Sequence, residues 1–272
     1  MVSIRINQPP RDFMNGLLSY SSRFLYTACL ALLLSSCSKE NSIESEKPAD
    51  RGEVKIDFQH VVKNAPLNFN DEYLNDWGEN YTVRTFKYYI HDIQLIGRDG
   101  NAVSLSSDYF LVDEDLPESK QLELSAPEGL YDAIAYTIGV DSARNTSGAQ
   151  TGALDPMLGM FWTWNSGYVM AKLEGRSPFS SGLNQEFSYH VGGFKSPYIT
   201  IKRVMLPAPD AQIFQVSKES PIIINIQADV NAWFSYYTPV KIAENPAAHS
   251  PGELAKKLAD NYEGMFSIKD ID

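Results

Sequence analysis

Beyond residue 52 the apolar residues fall at every second position, in short runs broken by turn residues. Val54, Ile56, Phe58 and His60 share one face of the first run. TFKYYIHDIQLIG (85–97) forms a second, stopped by Arg98-Asp99-Gly100-Asn101. Tyr109-Phe110-Leu111-Val112 is a third, and LELSAPEGLYDAIAYTIGV (122–140) holds two more around a turn at Pro127 to Gly129. YVMAKLEG (168–175), EFSYHVGG (186–193), SPYITIKRVML (196–206) and PIIINIQADV (221–230) extend the series to roughly eight to ten strands. Period two with β-branched and aromatic enrichment is the strand signature, because such side chains pack well on a pleated, half-buried surface. No βαβ rhythm runs through the chain, which argues against a parallel α/β sheet. The expectation is an all-β protein, an antiparallel β-sandwich.

One helix is predicted near the end. Ser250 reads as its N-cap, Pro251 as its first position, and Glu253 as the far side of a capping box. Leu254, Leu258, Tyr262 and Met265 then recur at helical spacing, and Gly264 marks the stop. The expected role is a short C-terminal helix that docks on a sheet face.

The N-terminal pattern differs. Phe24 to Ser36 is apolar, follows Arg23, and runs into Leu34-Ser35-Ser36-Cys37. It is too short for a stable membrane span, which takes roughly 20 residues, and its flanks match a cleaved signal. An aliphatic residue three before the Cys and a small one just before it read as a lipoprotein signal, with Cys37 as the lipidated residue. SKENSIESEKPADRG (38–52) is polar and lacks aromatics, so it cannot bury enough surface to fold. Residues 1–36 are therefore read as signal, 37–52 as lipidated Cys and flexible tether, and 53–272 as one β domain. The implied location is the cell envelope, lipid-anchored and facing either the periplasm or the outside, with outer-membrane sorting the preferred reading.

Charge and composition narrow the chemistry. The chain has 23 Lys+Arg and 34 Asp+Glu; residues 1–36 remove Arg5, Arg11, Arg23 and Asp12, leaving 20 against 33, or −13. So acidic a domain is a poor partner for nucleic acid, which needs a basic surface. Of its two Cys, Cys29 lies in the signal and Cys37 is the lipid site, so the folded part offers no disulfide, thiolate metal site or Cys nucleophile. No GxSxG elbow, HExxH pair or P-loop occurs, which leaves a hydrolase the weakest class and a non-enzymatic role the expectation. Soft-metal chemistry must draw on four His, at 60, 91, 190 and 249.

The Gly-rich middle, IGVDSARNTSGAQTGALDPMLGMFWTWNSGYVMAKLEG (138–175), is the longest stretch without strand rhythm. Trp162 and Trp164, two apart, share a face if extended, and read first as packing and second as a sugar-binding platform. Asp141, Asn145 and Asp155 read as turn caps; they lack the regular spacing of a calcium loop, so calcium is a weakly supported cofactor.

GVDSARN (139–145), GALDPMLGMFWTWNSGYVMAKLEG (152–175), SYHVGG (188–193), the YYIHDIQL strand with YFLVD (109–113), and AHSPGELAKKLADNYEGMF (248–266) together resemble the MbnP-like family, copper-associated proteins of the methanobactin locus. The resemblance spans nearly the whole domain from about residue 53. It implies a secreted or outer-membrane-associated β protein that binds copper through His side chains and a Trp oxidised to kynurenine, with a di-haem peroxidase-like partner performing that oxidation. Carried over by residue, it implies His60 in FQHVV and His190 in SYHVGG as metal ligands. VVKNAPLNF (61–69) contains no Trp to serve as the kynurenine precursor, and Trp162 and Trp164 belong to a shared motif that looks structural. His91 and His249 are weaker candidates, the latter read as serving the turn before the helix.

Two functions compete. One is an envelope lipoprotein that binds copper for acquisition or handling; the other is a non-catalytic module that holds a protein or glycan. Both need the anchor. We predict that Cys37→Ser abolishes membrane association in cell fractionation; identical partitioning of variant and wild type would refute lipidation.

Overall fold

The computed structural model describes residues 50–69, 71–162 and 167–272. The signal, Cys37, the tether up to residue 49 and Trp164 lie outside them. In chain order the strands are β1 (Arg51–Val62), β2 (Ala65–Pro66), β3 (Glu72–Leu74), β4 (Asn80–Gly97), β5 (Ala102–Ser106), β6 (Phe110–Asp113), β7 (Gln121–Pro127) and β8 (Gly129–Ile138). There follow β9 (Phe161–Trp162), β10 (Gly167–Tyr168), β11 (Ala171–Arg176), β12 (Glu186–Val191), β13 (Lys202–Pro207), β14 (Phe214–Val216), β15 (Ile222–Asp229), β16 (Ala247–Ala248) and β17 (Phe266–Ile271). The helices are α1 (Ser142–Thr146), α2 (Ala232–Ser235) and α3 (Glu253–Glu263).

Two sheets enclose the core. One has five strands, in the order β17-β15-β1-β2 with β7 also on β1. The other has ten, in the order β13-β8-β4-β11-β12-β16, with β14 on β8 and with β3, β5 and β6 on β4. Along β1, Val54, Ile56, Phe58 and His60 are buried, as the alternation predicts. They meet Phe86, Tyr88 and Ile90 of β4, Tyr136 of β8, and the helix residues Trp233, Leu258 and Tyr262 in one continuous core. Edge-to-face aromatic pairs run through it, among them Phe58 with Tyr88 and with Tyr136 at ring separations of 6.1 and 6.0 Å.

The mostly-β class stands, but the sandwich is not purely antiparallel. β1 and β15 run parallel from Val54↔Ile222 to Val61↔Asp229. The connection between them takes in every strand of the ten-stranded sheet except β16, long enough for the chain to re-enter from the same end. The near-continuous apolar run of PIIINI, buried on β15, is the mark of such a strand. Seven strands escape the alternation reading: the short β2, β3, β9, β14 and β16, together with β5 and the closing strand β17, which pairs with β15 beyond the helix.

The helix is present with a different start. α3 begins at Glu253; its N-cap is Gly252, in extended backbone, and no side chain caps it. Ser250 is not the cap because β16 pairs with β12 immediately upstream and holds this stretch extended. Leu258 and Tyr262 face the core as expected, and Gly264 ends the helix.

The Gly-rich segment packs on the outer face of the ten-stranded sheet. Tyr89, Val140, Leu154, Met160, Trp162, Tyr168 and Met170 form a second, smaller core there. Tyr168 donates its hydroxyl to Leu154 O at 2.9 Å, while Asn145 Oδ1 accepts the Tyr168 amide at 2.8 Å. Trp162 is buried, and a Cβ added at Gly192 would lie 2.7 Å from its ring and 2.8 Å from Tyr168 O, so only glycine admits this approach. A buried indole is no exposed sugar platform. We predict that Trp162→Ala lowers unfolding free energy by about 3–5 kcal/mol in urea titration. An unchanged unfolding midpoint would mean the second core is dispensable.

Candidate metal-ligating histidines and the clusters around them

β1 carries His60 into the interior, and the inner face of β4 meets it. The ring lies edge-on to Phe86 with centroids 4.7 Å apart. His60 Nδ1 is 2.7 Å from Glu114 Oε2, and Nε2 is 3.0 Å from the Tyr88 hydroxyl. Lys120 Nζ donates to the same Glu114 oxygen at 2.8 Å. Burial pushes the Glu114 carboxyl up, but the hydrogen bonds from His60 and Lys120 outweigh it and hold the group below its ordinary value. Burial pushes the Tyr88 phenol up, so it stays protonated. Glu114 is then an acceptor and Tyr88 a donor, which fixes His60 as the neutral tautomer with its proton on Nδ1. Both ring nitrogens are engaged.

His190 sits on β12 and points the other way. Across the ten-stranded sheet, Tyr88, Ala171 and Val191 stand in one row and Lys87, Lys172 and His190 in the adjacent one. Successive side chains alternate faces, so the first row points to the core and the second outward. The sheet therefore lies between His60 and His190, and the two imidazoles predicted as metal ligands do not meet. This corrects a joint site built from them. The cause is the strand period itself, since His60 contacts Tyr88 and Phe86 while His190 lies in the row of Lys87.

What His190 does meet is a small polar cluster. Its Nε2 is 2.6 Å from Glu174 Oε1 and 3.1 Å from Ser188 Oγ. His249, just after β16, places its Nε2 2.9 Å from the same Ser188 Oγ, with the two imidazole centroids 4.7 Å apart. Thr85 donates its hydroxyl to Glu174 Oε2 at 2.9 Å. The hydrogen bond from His190 is the largest cause holding the Glu174 carboxyl down at about 2. Burial, then the neighbouring His190, depresses His249. Among the described residues no three His, Cys, Asp or Glu side chains are gathered around a point that a metal ion could occupy.

Glu174 and Ser188 escaped the sequence reading, and His249, read as serving the turn before the helix, instead joins this cluster. Their signal was weak: Lys172 and Glu174 alternate in AKLEG, Ser188 and His190 in SYHVGG, and a hairpin between the runs pairs them. Nothing local announces that the two-residue β16 brings His249 to that row. His91 has a structural role: its Nδ1 donates to Gly139 O at 3.0 Å and its ring stacks on Tyr109. The oxygens weighed for calcium serve the backbone. Asp141 accepts the Arg144 amide at the start of α1, Asp155 accepts the Met157 amide, and the Asn145 amide donates to Val140 O.

The molecule is thus a two-sheet β protein with imidazoles held in separate polar networks on either face of the larger sheet. It belongs to the MbnP family, whose profile matches residues 51–251. Among solved structures, MbnP from Methylosinus trichosporium is similar, with a TM-score of 0.52 at 14% sequence identity, covering 75% of this chain and 83% of that one. At that identity the likeness concerns the fold. No curated protein matches the sequence.

The histidines give the fold a pH dependence of known sign. Burial is the largest cause lowering His60, His91 and His249 below the ordinary imidazole value. A group with depressed folded pKa binds its proton more readily unfolded, so stability is complete above about 6.5 and falls as pH drops below it. For buried His60 the slope reaches about 1.4 kcal/mol per pH unit. Carboxylates such as Glu114 lose their contribution only nearer their ordinary range. We predict that the urea midpoint falls between pH 7 and pH 5, and that His60→Gln flattens this dependence. An equally steep fall in the variant would remove His60 from the cause.

Proposed function

We propose that this MbnP-family protein is a lipid-anchored copper-binding protein of the cell envelope, and that His190 and His249 supply its imidazole ligands. The observation that carries the reading is the pairing of these two rings on the outer face of the ten-stranded sheet. Imidazole nitrogen suits copper, and the folded domain has no thiol to compete. Glu174, ionised beside His190, supplies a carboxylate that orients one ring and offsets the charge of a bound cation. His60 is left out of the ligand set because Glu114 and Tyr88 already take both its nitrogens.

Supporting the envelope location are the Leu34-Ser35-Ser36-Cys37 signal and the charged tether after it. Among the described residues no helix is long and apolar enough to cross a membrane. In the absence of a Trp in residues 61–69, the proposal is a site of two imidazoles, with Glu174 as the partner of one ring and without a kynurenine. A di-haem peroxidase-like partner then has no substrate Trp at that point of the chain. The role is binding rather than catalysis.

Calorimetry of the mature protein with Cu(II) and Cu(I) tests the site. We expect one site, weakened at least tenfold by His190→Ala and by His249→Ala, unaffected by His60→Gln, and weakening at acid pH, where protons compete with the metal for imidazole nitrogen. Absence of copper binding, or its survival in the His190→Ala/His249→Ala double variant, would overturn the proposal.

A further inference from the structure

The five-stranded sheet has a notch. β7 pairs with β1 only as far as Asp57, and β2 resumes the pairing at Val61. Between them residues 58–60 of β1 have no strand partner on that side. The Leu67 amide reaches only the far end of the gap, donating to His60 O at 2.9 Å; Pro66 and Leu67 wall it on that side, and the turn Pro117–Lys120 on the other, leaving a cleft of about 500 Å³. Its volume falls in the range of small-molecule sites, roughly 300–1,000 Å³.

The groups lining the cleft are arranged for an uncharged, hydroxyl-bearing ligand. Glu114, at its base, spends Oε2 on both His60 and Lys120, while among the described residues Oε1 accepts no hydrogen bond. The carboxamides of Asn64, Gln121 and Gln227 also line it, and none has a side-chain partner among the described residues. Each such amide both donates and accepts, the bivalence a sugar hydroxyl also has. Two carboxylates, Asp57 and Glu114, stand against two ammonium groups, Lys120 and Lys269, so the lining favours neither anion nor cation. Pro66 and Pro117 add aliphatic surface at its walls. The cleft continues along the sheet into a second hollow of about 270 Å³ that shares Asp57 and Gln121, which suits a chain of more than one ring.

We propose that this notch is a carbohydrate-binding site for a neutral oligosaccharide, its hydroxyls received by Glu114 Oε1 and by the carboxamides of Asn64, Gln121 and Gln227. His60 acts as a positioning residue: with Lys120 it holds Oε2, leaving Oε1 the carboxylate oxygen that accepts no hydrogen bond among the described residues. A peptide is the poorer occupant. Peptides that recognise sheets usually add a strand to a free edge, and this opening is three residues long and closed at both ends by β7 and β2. The site is separate from the His190 cluster and stands whether or not copper binds there.

The test uses the mature, copper-free protein on an array of neutral oligosaccharides, including glucan, mannan and xylan fragments and chito-oligomers, with short peptides alongside. Calorimetry then follows with the best binder. We expect at least one oligosaccharide to bind, and Gln227→Ala and Asn64→Ala each to weaken it by roughly tenfold, the scale of a lost ligand hydrogen bond. Both side chains reach the surface, and thermal unfolding unchanged from wild type confirms that the variants are folded. No binding across the oligosaccharides, binding indifferent to both substitutions, or binding by the peptides alone would overturn the proposal.

Discussion

The alternation of faces along β4 is the constraint on which the rest of the molecule depends. This one strand pairs with β11, β8, β3, β5 and β6, and through its middle, from Phe86 to Ile90, its even positions face the core and its odd positions the outer surface of the ten-stranded sheet. Phe86, Tyr88 and Ile90 turn inward and meet β1; Thr85 and Lys87 turn outward, and Tyr89 receives the Gly-rich segment. Over its 18 residues the strand changes parity twice, at a register shift opposite Glu174 and Gly175 and at a bulge around Asp92, whose φ is 52°, so that Tyr81 and Val83 before the first and Ile93 and Leu95 after the second also face the core. A one-residue slip would exchange every partner, moving Tyr88 off His60 and Thr85 off Glu174. Register in β4 therefore positions both imidazole networks at once, and separates them.

That separation explains why the two histidines differ in chemistry despite their shared residue type. Around His60, low-dielectric surroundings make every unpaired charge costly, so the ring stays neutral and both nitrogens are satisfied. Around His190, water reaches one side, a second imidazole stands beside it, and Glu174 remains ionised. Only the outer cluster can exchange a hydrogen bond for a metal without leaving a buried group orphaned. A histidine's match to a family motif carries no information about which of these situations it occupies.

Much of the fold was legible because it is local. Period two placed Val54, Ile56, Phe58 and His60 on one buried face, and helical spacing placed Leu258 and Tyr262 toward the core. What escaped depends on contacts distant in sequence. The parallel pairing of β1 with β15 joins residues at opposite ends of the domain, and a single sequence holds no record of strand order. The cap expected at Ser250 failed for a related reason, since the two-residue β16 overrode a local signal. The same short strand delivers His249 to His190. The candidate site was thus half readable: His190 and His249 stood out by residue type, while their pairing, and the presence of Glu174 and Ser188 beside them, follow from register alone.

The His60 network raises the question of why an acidic chain would bury an ionisable pair at all. Removing a carboxylate from water costs several kcal/mol, and a paired buried group often contributes no more than an apolar replacement would. Tyr88, His60, Glu114 and Lys120 form a line of hydrogen bonds that begins in the core and ends at the rim of the notch. Simple stability would favour apolar side chains closing the gap between β7 and β2. With Glu114 instead anchored from both sides through one oxygen, the gap stays open and the carboxylate is fixed within it. A buried network that leaves one carboxylate oxygen without a hydrogen bond among the described residues, beside an open cleft, is costly for the sheet and is the kind of arrangement a binding role accounts for.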